Sequence, residues 1–161
     1  MAIEYIMATP KPRFDFLAKL GAIFFFLWGI LHFWVPYGGF TEYYKSGNGI
    51  NMIVGGDAVS KSEFKAPTDE KTMFALNMLF LNFVCDVGGY GVVALFVAYL
   101  VWNGGDNAWL GYFMGLFCLG VADLAFLRYL VMSGVIEQTF PVLMGPLLWF
   151  IAIAVTPFGL V

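Results

Sequence analysis

Histidine occurs once in this chain, cysteine twice, and charged residues make up only 12% of it. Each scarcity excludes something. A single histidine, His32, rules out a haem held by two axial histidines. One imidazole among scattered carboxylates also lacks any metal-ligand spacing, so no metal is assigned. Cys85 and Cys118 stand inside apolar runs without a C-x-x-C spacing and read as buried small hydrophobes, not a redox pair. No basic run is present, which argues against nucleic acid and against a polybasic patch for anionic headgroups. The sequence shows no nucleophile motif, cofactor motif, internal repeat or second domain, and it names no cofactor. The reading leans away from an enzyme.

What remains is apolar. The chain is 61% hydrophobic and 19% aromatic, with mean hydropathy +0.82 and net charge −3. Ordinary globular chains carry roughly 25% charged residues. A soluble fold of 161 residues could not bury so much apolar surface, whereas a bilayer lets those side chains face lipid. The expected class is an all-α, four-transmembrane-helix bundle forming a single integral membrane domain.

The first span is expected over 14–37. Lys11, Arg13 and Lys19 flank its start, and Trp34 and Tyr37 sit at its far end as an aromatic belt would. It resembles a signal peptide, but the run is too long and no A-x-A site follows. A loop over 38–68, rich in Gly, Ser, Asn and Lys, is the one substantial extramembrane segment, with "NMIVGG" a short strand or turn. The second span, 69–102, begins after "APTDEK", with Thr68 as N-cap and Asp69 and Glu70 in the first turn. At that length it tilts or projects from the membrane. "NGGDN" then turns the chain, with Asp106 capping a third span over 108–132 and Gly134 as its C-cap. The fourth, 139–161, tolerates Pro141 in its first turn and is expected to kink at Pro146 in "GPLLWF". Four spans put both termini on one side. Lysines fall almost evenly on the two sides, and the cluster before the first span favours termini in the cytoplasm.

Gly111 and Gly115 in "GYFMG" form a GxxxG, a close-packing signature for helix pairs in lipid. Gly88, Gly89 and Gly91 play the same part on the second span. The partner is a helix of this bundle, a second copy or another membrane subunit. The N-terminal "MAIEYIMATPKP" is expected to lie against such a partner.

The informative residues are polar ones at membrane depth: His32, Asn77, Asn82, Asp86 and Asp123, with Arg128 nearer a helix end. Counting about 1.5 Å per residue from the terminal side puts His32 at roughly 20 Å, Asp123 at roughly 21 Å and Asn82 at roughly 18 Å, with Asp86 one turn lower. A His32–Asp123–Asp86–Asn82 cluster is the expectation. It is read either as a structural polar contact or as a ligand- or proton-handling site. A proton path would need polar groups at successive depths, and the terminal-side half offers little beyond Asp86 and Thr156. Arg128 is expected to snorkel to headgroups, to pair with Glu137, or to partner Asp123. Trp149 is placed to wall a small cavity near Pro146.

With "GILHF" on the first span, a buried acid on a later one and "GPLLW" on the last, the chain resembles small DoxX-like membrane proteins. In outline it is also similar to the EXPERA four-helix group. The first resemblance implies a role beside quinone-linked redox complexes or in membrane maintenance. The second implies a hydrophobic ligand and acids inside the bundle. The chain departs from both in its long second helix and sparse acid/base set. The leading expectation is a non-catalytic accessory subunit of a larger membrane complex. The alternative is a protein binding or transforming a quinone, lipid or sterol-like ligand at His32, Asp86 and Asp123.

Overall fold

The fold is taken from a computed structural model that describes residues 15–160. Lys11, Arg13, the segment expected against a partner and Val161 lie outside the described residues. Four helices carry the chain: α1 Asp15–Ser46, α2 Glu70–Asn103, α3 Asp106–Val131 and α4 Phe140–Gly159. All four are long and apolar enough to cross a membrane, and no strand occurs among the described residues. The protein is an integral membrane protein built as an all-α four-helix bundle.

α1 does not stop at Tyr37. It continues nine residues further, so the expected loop over 38–68 shrinks to 47–69. Pro36 lacks an N–H but does not end the helix. Beyond it Thr41 donates to the Tyr37 carbonyl at 2.7 Å and Ser46 to the Glu42 carbonyl at 2.9 Å. Both bonds run back one turn along a helix that continues, the form in which Ser and Thr are accommodated inside helices. α2 overhangs in the same direction. Its N-cap is Asp69, not Thr68, because the Asp69 carboxylate accepts both the Thr72 N–H and its hydroxyl at 2.7 Å. Those two bonds hold the Asp69 carboxyl below its ordinary range. At 32 and 34 residues, α1 and α2 reach roughly 50 Å, against a hydrocarbon core of about 30 Å.

Gly104 and Gly105, both near φ +70°, turn the chain from α2 into α3, a region glycine enters freely. Asp106 does not cap α3. It occupies the first turn, and Gly105 is the N-cap without a side-chain bond. Gly134 closes α3 as expected, its N–H reaching the Val131 carbonyl at 3.0 Å while Ile136 N–H reaches Leu130. α4 begins at Phe140 with Pro141 in its first turn and stays helical through Pro146 and Pro157.

The core gathers Phe25 and Trp28 of α1, Val97 and Val101 of α2, Leu119 of α3, and Trp149 and Ala152 of α4. Gly29 and Gly91 mark the closest crossing of α1 and α2, where a Cβ on either would lie 2.9 to 3.0 Å from the other's carbonyl oxygen. Gly111 and Gly115 pack within the bundle: a Cβ on Gly111 would meet Leu100 at 2.8 Å, and one on Gly115 would meet Phe25 at 2.6 Å.

The loop is tied down by Asn77, whose amide oxygen accepts the Gly49 N–H at 3.0 Å and whose amide nitrogen donates to the Gly47 carbonyl at 2.7 Å. Asn77 therefore serves the loop, not the polar cluster. The segment "NMIVGG" begins in the last two residues of a short 3-10 helix, Gly49–Met52, and then pairs its glycines with the turn after α3. Gly55 and Gly56 N–H both reach the Val135 carbonyl, and Ala58 N–H reaches that of Gly134 at 2.9 Å. Asn77→Ala leaves the buried Gly49 N–H unpaired. It should destabilise the loop by about 1–3 kcal/mol, read as faster proteolysis within 47–69, with the helices still protected.

Candidate functional site

Trp28 and His32 lie one turn apart on α1, so they share a face. Their rings stack, with centroids 3.4 Å apart and planes within 19°. The Trp28 indole N–H donates to Asp123 Oδ2 across the bundle at 2.8 Å. The His32 Nδ1 lies 2.7 Å from the Trp28 carbonyl. A carbonyl only accepts, so Nδ1 carries the proton, and in the neutral ring Nε2 is left as an acceptor. The Nε2 edge faces α4 at Gly145, where a Cβ would come within 3.2 Å of the ring Cε1. Asp123 is 2% exposed, and its other oxygen, Oδ1, has no partner among the described residues. Oδ1 is nevertheless not sealed off, since the one fully enclosed side-chain atom without a partner among the described residues is Asn48 Oδ1.

These groups border a cavity of about 750 Å³, within the range of small-molecule sites. Its inner end is formed by His32, Asp123, Gly145 and Pro146. Asp86 and Tyr90 of α2 line another wall, and Met52, Ile53 and Ile136 roof it on the loop side. It exists because α3 changes neighbours: its first half lies along α2, and its second half packs on α4 instead. Two five-residue wide turns, Gly115–Leu119 and Leu127–Val131, bracket the stretch carrying Asp123. An inserted residue of this kind shifts the helical phase by roughly 100° and is frequent at functional sites. At the first wide turn the Gly115 carbonyl accepts the Trp149 indole N–H at 2.9 Å. Trp149 thus belongs to the core and not to the cavity wall.

The expected cluster is only partly assembled. The bond to Asp123 comes from Trp28, and His32 joins it by stacking on that indole, not by a hydrogen bond of its own. Asn82 Nδ2 donates to Asp86 Oδ2 at 2.9 Å, and both are exposed. Gly91 is the α2 residue level with His32, a Cβ there lying 3.4 Å from His32 Cβ. Asp86 therefore stands about 7 Å toward the loop side of His32, and Asn82 another turn out. The depth count went astray because it began α2 at the membrane surface. Asp86 belongs to the outer part of the cavity and Asn82 lies outside its lining. Arg128 is exposed, with its guanidinium 5.9 Å from the Tyr129 ring. The only ion pair among the described residues is Lys19–Asp15, so Arg128 pairs with neither Glu137 nor Asp123. No three metal-ligating side chains gather among the described residues.

Sequence reasoning missed Trp28. The available signal was its place one turn before His32, since a buried indole N–H requires an acceptor. Comparison of the chain with protein-family models, with curated proteins and with solved structures finds no match.

Proposed function

We propose that this integral membrane protein holds a hydrophobic ligand with one polar end, of the quinone, lipid or sterol-like kind, with the polar end at His32 and Asp123. The supporting observation is a cavity of about 750 Å³ whose walls are mostly apolar and whose inner end presents an unpartnered His32 Nε2 and Asp123 Oδ1. Mostly apolar pockets with a few convergent polar groups are the usual form of small-molecule sites. The outline resemblance to DoxX-like and EXPERA-like proteins leads to the same kind of ligand. This reading carries the termini on the cytoplasmic side, on the strength of the basic residues before α1.

The test is to fill the cavity. Ala122 lines it from α3, and Ala122→Trp should exclude the ligand while leaving the core residues in place. Gently purified protein should release a small hydrophobic molecule on solvent extraction, near one per chain by mass spectrometry, and the variant should lose most of it. Equal amounts from both proteins would sink the reading.

A second reading, an accessory subunit of a larger membrane complex or a homo-oligomer, is favoured by the Asn82–Asp86 pair on an exposed face of α2. Such an exposed polar pair on a membrane-spanning helix is well satisfied against a neighbour. It calls for a second chain that co-migrates with the protein and is lost on Asp86→Leu.

A further inference from the structure

Resting on that ligand-site reading, the chemistry of the inner end restricts which polar heads fit. Two ring N–H donors lie around it, and both are committed inside the protein: Trp28 to Asp123, and His32 Nδ1 to the Trp28 carbonyl. What is left over accepts. His32 Nε2 offers a lone pair, and Asp123 Oδ1 does so while the carboxyl is ionised. Pro146 cannot donate to the Val142 carbonyl one turn earlier, and Val142 lines the same cavity. Pro36 likewise removes the helical donor to the carbonyl of His32 itself. The hydroxyls of Tyr90 and Tyr129 both give and accept, so they do not discriminate.

Charge points the same way. Asp86 and Asp123 line the cavity, and no lysine or arginine does. Arg128, the basic residue nearest in sequence to Asp123, is exposed and outside the lining. A carboxylate or phosphate head would bring no hydrogen to these acceptors and would face two carboxyl groups in a medium that screens poorly. We propose that the cavity selects an amphiphile with a hydroxyl head, a long-chain alcohol, sterol-like alcohol or quinol, and rejects carboxylate and phosphate heads. Of a quinone couple it would hold the reduced form, which carries the donor hydrogens.

A matched series tests this on the full-length protein in detergent, with radiolabelled tetradecanol as probe and 1-methoxytetradecane and myristate as competitors. The ether keeps the chain and oxygen but loses the donor hydrogen, and myristate replaces the hydroxyl with a carboxylate. Saturable tetradecanol binding is expected, with each competitor at least tenfold weaker than unlabelled alcohol. Competition by ether or myristate as strong as by alcohol overturns the head-group selection and leaves the cavity reading standing. Absence of saturable tetradecanol binding overturns both. Asp86→Asn, on an exposed helix face, removes one carboxylate without emptying the core, and myristate should gain severalfold relative to tetradecanol. An unchanged ratio there would refute the part played by charge.

Discussion

Replacing Gly29 with leucine is expected to separate α1 from α2 and abolish the folded bundle. At this crossing each glycine faces the other's carbonyl oxygen, with 2.9 to 3.0 Å available to a Cβ. The obstacle is backbone on both sides, so no side chain can swing away. Gly29→Ala should already lose about 1–3 kcal/mol, and leucine about 3 kcal/mol or more. Gly91→Leu should match it. Gly89, two residues along α2, is the control: a Cβ there meets nothing within 4 Å. Gly89→Ala should be neutral, or stabilising by up to about 1 kcal/mol through helix propensity. Thermal unfolding in detergent reads all four. If Gly29→Ala and Gly89→Ala behave alike, the two helices do not cross at Gly29 and Gly91.

The second large effect lies at the Trp28–Asp123 bond, which joins α1 to the displaced half of α3. Both side chains are buried, at 0% and 2% exposure, so removing either partner leaves a polar group with nothing to replace it. Trp28→Phe strands the carboxyl group, and Asp123→Leu strands the indole N–H. Each should destabilise the bundle by about 1–3 kcal/mol. The double variant Trp28→Phe with Asp123→Leu should recover part of that loss, because an apolar pair leaves no orphan. A double-mutant cycle should give a coupling of about 1 kcal/mol or more. Strict additivity of the two single losses would mean that the bond contributes nothing.

Four spans and their antiparallel order were legible because twenty-residue apolar runs have few other uses. Their outer limits were not. Pro36 and the polar stretch after Tyr37 read as an ending, whereas the helix continues to Ser46, with Thr41 and Ser46 bonded back to their own preceding turns. That single misplacement propagated into the site. With α1 ending too early, α2 began too low, and Asn82 was assigned the level that Gly91 holds. His32 and Asp123 escaped the error because both were counted from the opposite side. The wide turns around Asp123 leave no signature in composition, so the phase of α3 beyond Gly115 was not open to counting. Trp28 was overlooked for a simpler reason: tryptophan was counted with the apolar residues, although its N–H needs a partner as surely as a carboxylate does.

The roof over the cavity has a consequence for the route inward. Gly55, Gly56 and Ala58 are hydrogen-bonded to the turn at Gly134 and Val135, which ties the loop down over the outer end. Trp34, Val121 and Tyr129 of the lining are 71%, 68% and 70% exposed, on a flank of the spans open to the bilayer. A molecule arriving by that flank is drawn from the pool already dissolved in lipid. Occupancy then follows the mole fraction in the membrane rather than the aqueous concentration. Two ligands with equal contacts in the cavity would differ in apparent potency by the ratio of their partition coefficients, and each would lose potency as the lipid-to-protein ratio rises.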